Sequence, residues 1–109
     1  MKKSETKAPK GLSAPARVWW RKLLGEYEIA DQGGYLLLET AMRRFDRAEA
    51  ARKLLDRDGP VIADRWGQQK PHPAAAIERD ALTGMLAALK ALNLDVEPLR
   101  DGPGRPGGR

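Results

Sequence analysis

The stretch from Ala74 to Leu92, AAAIERDALTGMLAALKAL, has 13 apolar residues among its 19 and only four charged ones, Glu78, Arg79, Asp80 and Lys90. The spacing is helical, with Ile77, Ala81, Met85, Ala88 and Leu92 on one stripe and Leu82, Leu86 and Leu89 on the stripe beside it. A helix in a small helical domain needs one apolar face, and this one carries more. Two arrangements can hide the surplus. Either copies of the chain gather and share Ile77, Ala81, Leu82, Met85, Leu86, Ala88, Leu89 and Leu92 as an oligomer interface, or the helix is central and packs between two neighbours of its own chain. The small residues Ala81, Gly84 and Ala88 permit close backbone approach in either case.

Upstream, the pattern predicts two more helices. Ser13 is placed to cap one that runs to about Glu28, with Pro15 in its first turn and Leu12 just before the cap. Ala16, Trp19 or Trp20, Leu23 and Tyr27 recur at helical spacing. Two adjacent tryptophans cannot share one narrow stripe, so one belongs to the core and the other to a neighbouring helix or subunit. Asp31 caps a longer helix reaching about Asp58, with the stripe Leu38, Ala41, Met42, Phe45, Ala48, Ala51 and Leu55. The Gly33-Gly34 pair weakens its first turn, by roughly 1 kcal/mol per glycine relative to alanine. Glu39/Arg43, Glu49/Lys53 and Arg52/Asp56 are spaced for ion pairs one turn apart on the outer face. Gly59 sits where a helix-ending glycine belongs, and Pro60 prevents continuation.

Between Pro60 and Pro73, Val61-Ile62-Ala63 and Gln68-Gln69-Lys70 flank a turn at Asp64 to Gly67. This predicts a short hairpin that must lean on helices or on another subunit. His72-Pro73 then opens the third helix, with proline at its first position. The expected fold is therefore mainly α: a three-helix core over residues 13–94 with a β-hairpin-like loop between the second and third helices. A basic flexible arm is expected at residues 1–12, and a flexible tail at residues 95–109, where Pro98 to Arg109 has seven Gly or Pro among twelve.

Composition removes several kinds of chemistry. There is no cysteine, and one histidine alone excludes a conventional Cys/His zinc site. No glycine is followed by lysine, so a phosphate-cradling G-x-x-x-x-G-K-[ST] loop is absent. Ser4 and Ser13 are the only serines, one in the arm and one at a cap. His72, wedged between prolines, reads as a helix-entry residue rather than a base. The carboxylate pairs Asp56/Asp58 and Glu78/Asp80 stand beside basic residues, as on ordinary charged helices. The expectation is no catalysis, no metal and no cofactor. No apolar run approaches the roughly 20 residues of a membrane span. The opening MKKSETKAPKG is basic with no apolar stretch after it, so a cytoplasmic chain without a membrane partner is expected.

The net charge of +5 is unevenly spread. Residues 1–12 hold Lys2, Lys3, Lys7 and Lys10 against Glu5, and the first helix adds Arg17, Arg21 and Lys22 against Glu26 and Glu28. A basic arm beside a folded body suits contact with a polyanion, because each phosphate contact releases counterions. These seven residues are the candidate DNA contacts. Arg43, Arg44 and Arg47 form another cluster, but Glu39, Asp46 and Glu49 lie alongside and favour a solvated face. Trp66, at the loop tip, is either a partner anchor or a side chain that folds back on the helices.

From Asp31 onwards the features fall in a definite order. A long helix with YLLLETAMRRFDRAEAARKLL is closed by Gly59, followed by the loop VIADRWGQQKPHPAA and the helix IERDALTGMLAALKALNLD. With Leu12, Ala16 and Trp20 upstream, and with Gly67, Lys70, His72-Pro73-Ala74 and Arg79, the ordered set over roughly residues 12–98 resembles the small subunit of tailed-bacteriophage terminases, of the short helical class. The resemblance implies a non-enzymatic component that forms ring-shaped homo-oligomers. Such a component recognises the packaging site on double-stranded viral DNA and delivers it to the terminase large subunit, in the cytoplasm of the bacterial host. Members often continue with a Gly-Leu-Thr-Pro-Ser-Ser-Arg-like stretch where this chain has Asn93 to Arg100 and a Gly/Pro tail. No family-wide set of DNA contacts carries over residue by residue. The alternatives are a small helical adaptor that binds another protein through its third helix and ignores DNA, and a helix-turn-helix regulator, for which the second helix lacks a base-reading N-terminus.

Overall fold

Side chains satisfy the first free N–H groups of each helix and so set where it starts. In the computed structural model, which describes residues 7–92, Ser13 accepts from Ala16 N to open α1 (Ala14–Glu26) and Asp31 accepts from Gly34 N at 2.8 Å to open α2 (Gln32–Asp58). Gly59, at φ 82, ends α2 in a backbone conformation that side-chain-bearing residues rarely adopt. The strands β1 (Val61–Ala63) and β2 (Gln69–Pro71) then pair antiparallel, with Ile62 opposite Lys70. His72 caps α3 (Pro73–Ala91), with Pro73 in its first turn. The protein is thus mainly helical, with a two-stranded hairpin between α2 and α3. Residues 1–6 and 93–109, which include the tail, lie outside the described residues.

Helix α2 is central. Its face Leu38, Ala41, Met42, Ala48, Ala51 and Leu55 is buried, as its apolar spacing predicts, and Phe45 is half-buried beside it. α3 runs antiparallel along α2 and meets it through Ala74, Ala81 and Ala88, all buried at seven-residue intervals. Alanines at that spacing keep one narrow seam against the partner and let the two backbones come close. Gly84 belongs to the same contact: a Cβ there would lie 3.0 Å from the Arg44 guanidinium. α1 also runs antiparallel to α2, on the neighbouring flank. Trp20 is buried and stacks on Tyr35 with ring centroids 6.5 Å apart. Its neighbour Trp19 stays 45% exposed, which settles which of the two belongs to the core.

The Gly33-Gly34 pair has an unequal explanation. Gly34 is buried, and a Cβ on it would sit 2.7 Å from Asp31 Oδ1 and 2.8 Å from Ile29 Cγ2. A Cβ on Gly33 meets nothing within 4 Å. The glycine needed for the tight entry from α1 into α2 is therefore Gly34.

Two sequence expectations need correction. Residues 7–12 are not a free arm: Leu12 is buried, Ala8 packs on the core, and two arginines hold the segment's carbonyls. Nor is α3 the central helix. Ala81 and Ala88, expected at an interface between copies, are covered by α2 of the same chain and are not available to a partner.

Candidate functional site

The docked N-terminal segment builds one edge of the molecule. Arg17 Nη1 donates to Leu12 O at 2.6 Å, and Arg43 Nη2 donates to Lys10 O at 3.1 Å. Ser13 fastens the same junction to α2: its N–H donates to Asp46 Oδ2 at 2.8 Å and its hydroxyl to Asp46 Oδ1. The segment then runs back along α2, where Lys7 and Pro9 line a shallow depression with Gln32, Tyr35 and Glu39. Lys7, Lys10, Arg17 and Arg21 are all exposed along this edge, joined by Arg43 and by Arg47 one turn further on. Glu39 offsets Arg43 at 2.8 Å.

Lys22 does not belong to this group. It sits about 100° round the helix from Arg21, with its ammonium 5.1 Å from the Trp19 ring. Lys2 and Lys3 lie outside the described residues. The structure therefore gathers Lys7, Lys10, Arg17 and Arg21 and separates Lys22. It also brings in Arg43 and Arg47, because the docking of the segment on α2 is a contact between residues 33 apart with no local sequence signal.

On the opposite side of α1 lies an apolar groove. α1 and α3 occupy neighbouring flanks of α2 without closing on each other, leaving a space of about 260 Å³ lined by Trp19, Leu23, Met42, Phe45, Met85 and Leu89. On α3 the same flank continues to Leu82 and Leu86, exposed by 38% and 60%. Leu92 packs on the core and Ile77 is exposed on the other flank of α3. Of the eight expected interface residues, Leu82, Met85, Leu86 and Leu89 thus share one accessible face.

Two further features sit at the far end of the α2–α3 pair. At the hairpin tip, Asp64 Oδ1 accepts from Trp66 N at 2.8 Å and Gln68 N at 3.0 Å, and Gly67 takes φ 81. This fixed turn holds Trp66 out at 75% exposure, with the Arg65 guanidinium 5.1 Å from its ring; it does not fold back on the helices. Below it, His72 Nδ1 accepts from Ala74 N at 3.0 Å, so the neutral ring carries its proton on Nε2 and donates to Asp58 Oδ2 at 2.8 Å. The Arg57 guanidinium, hydrogen-bonded to the same carboxylate, and then His72 hold Asp58 well below the usual carboxylate range. His72 is thereby accounted for as a structural tie between the end of α2 and the start of α3.

Among the described residues, no group of three or more His, Cys, Asp or Glu is gathered as a metal ion would require, and no helix is long and apolar enough to cross a membrane. Comparison with protein-family models, curated proteins and solved structures finds no match to this chain.

Proposed function

We propose that this chain is an oligomeric, non-catalytic DNA-binding subunit of the terminase small-subunit kind, encoded by a phage or prophage and acting in the host cytoplasm. It engages double-stranded DNA and passes it to a large-subunit motor. The observation that carries this reading is the division of labour across α1. One side presents Lys7 and Lys10 on a segment clamped to the body together with Arg17 and Arg21 on α1, and the other presents an uncovered apolar groove. The sequence resemblance over residues 12–98 supplies the biological setting.

Clamping matters for binding. A basic segment pinned by Arg17 and Arg43 loses less conformational freedom on meeting phosphates than a free one would. Each copy offers few cations, so affinity for duplex depends on several copies acting together at high effective concentration. The groove, with Leu82 and Leu86 beside it, is the surface through which copies associate.

The test is native mass measurement with and without duplex DNA, together with retention of duplex at rising salt. A mass of several chains and retention that falls steeply with salt are expected. A single-chain mass at micromolar concentration, or duplex retention unchanged by salt, overturns the reading. The competing class, a helical adaptor that ignores DNA, is favoured by the groove taken alone; it predicts a protein partner on α3 and no retention of duplex.

A further inference from the structure

We propose that the subunits associate head to tail, with Trp66 of one copy seated in the groove between α1 and α3 of the next. This rests on the oligomeric reading above and specifies its contact. Trp66 is 75% exposed at the tip of a turn fixed by four hydrogen bonds, Trp66 N and Gln68 N to the Asp64 side chain, Gly67 N to Asp64 O and Asp64 N to Gln68 O. A large apolar side chain carried in water on a fixed backbone turn is the form an interface anchor takes, because the backbone has little freedom left to lose on docking. The groove offers the matching cavity: about 260 Å³, open, and lined only by apolar side chains. Sulfur and aromatic groups from Met42, Met85, Phe45 and Trp19 suit an indole.

A chain's own Trp66 does not fill its own groove. It stands exposed beyond the end of α2, and Phe45 lies 13 residues, roughly 20 Å of helix, before Asp58. The occupant is therefore a second copy.

Charge agrees with this choice. The tip carries Arg65 and, on β2, Lys70, while Asp64 is engaged in the turn. Glu26 lies three residues beyond Leu23 and Glu49 four beyond Phe45, which puts one carboxylate in line with the lining residues at each end of the groove. Neither forms an ion pair among the described residues; the pair expected between Glu49 and Lys53, one turn on, is not made. The Lys22 ammonium is engaged over the Trp19 ring, 5.1 Å from its centroid. An arriving Arg65 is thus matched to Glu49 at the groove end nearer the hairpin. Because tip and groove are different surfaces of one chain, the contact is heterologous, and repetition gives a closed ring or an open filament.

The absence of cysteine makes the geometry directly testable. Full-length chains carrying Arg65→Cys and Glu49→Cys, mixed and oxidised, are expected to form an inter-chain disulfide between the two variants; either alone is not. Trp66→Ala, at a position that supports no core contact, is expected to weaken self-association roughly thirtyfold while leaving the circular dichroism and melting of the helices unchanged. Arg65→Glu weakens assembly, and Glu49→Arg added to it restores assembly. A wild-type oligomer whose mass survives Trp66→Ala, with no mixed disulfide, overturns this contact and leaves the oligomeric reading standing. A wild-type protein that stays a single chain overturns both. Loss of duplex retention in Trp66→Ala at unchanged mass also overturns it, and assigns the tip to DNA.

Discussion

His72 and Asp58 join the end of α2 to the start of α3 through a 2.8 Å contact between Nε2 and Oδ2. The same imidazole caps α3 through Nδ1, so one ring closes the corner from which the hairpin projects. Removing it with His72→Ala takes away both a cap and a buried donor, and is expected to cost about 1–3 kcal/mol in urea unfolding. His72→Asn keeps a good capping group and is expected to recover part of that loss.

The acid response of this corner follows from the sign of the Asp58 shift. Its folded carboxyl is held low, first by Arg57 and then by His72, so it contributes stability above the ordinary carboxylate range of about 3.9 and loses that contribution as pH falls below it. Asp58→Asn is expected to flatten the fall in melting temperature between about pH 5 and about pH 2. An unchanged acid profile in this variant would assign the acid sensitivity to other carboxylates.

The adjacent glycines at the start of α2 should respond in opposite directions. Gly33→Ala adds a methyl group in open space on a helical backbone and is expected to stabilise by about 0.4–1 kcal/mol. Gly34→Ala forces the new Cβ onto Asp31 and Ile29 and is expected to destabilise by about 1–3 kcal/mol. Thermal melting of the two variants side by side decides this.

The alanine seam makes a similar contrast. Ala81→Leu inserts bulk between α2 and α3, where the native side chain is 1% exposed, and is expected to cost about 1–3 kcal/mol. Ala87→Leu, on the exposed side of the same helix, is expected to change stability by no more than about 0.5 kcal/mol.

On the basic edge, Arg21 and Lys22 are neighbours in sequence that point different ways. Arg21→Ala is expected to lower the log–log salt slope of duplex binding by about 0.9, one phosphate contact. Lys22→Ala, whose ammonium sits over Trp19, is expected to leave that slope unchanged. Equal effects of the two would place the DNA path over the outer surface of α1 instead of along the clamped segment.

The helices and their caps were legible because they depend on local rules: a cap at Ser13 or Asp31, a stripe every three to four residues, and Gly59 at the close. The choice between Trp19 and Trp20 was not legible, because it depends on which flank of α2 receives α1. Which stripe of α3 faces α2 was not legible for a related reason. Its leucines are the more hydrophobic, but its alanines allow the closer approach, so the seam took Ala81 and Ala88 and left Leu82 and Leu86 on the flank. The clamp on residues 7–12 could not be read at all. Arg43 to Lys10 O and Asp46 to Ser13 are contacts between positions 33 apart, and neither leaves a periodic trace.

α1 covers only part of the α2–α3 pair. Its first residues lie at Asp46, and past that point the two longer helices go on alone, with Ala51, Leu55 and Ala74 as their small shared cluster. Backbone amides near Leu55 and Ala76 should therefore exchange with solvent by sub-global opening well before those near Leu38 and Ala88, so that the chain frays from the hairpin end inward while its three-layered end stays shut.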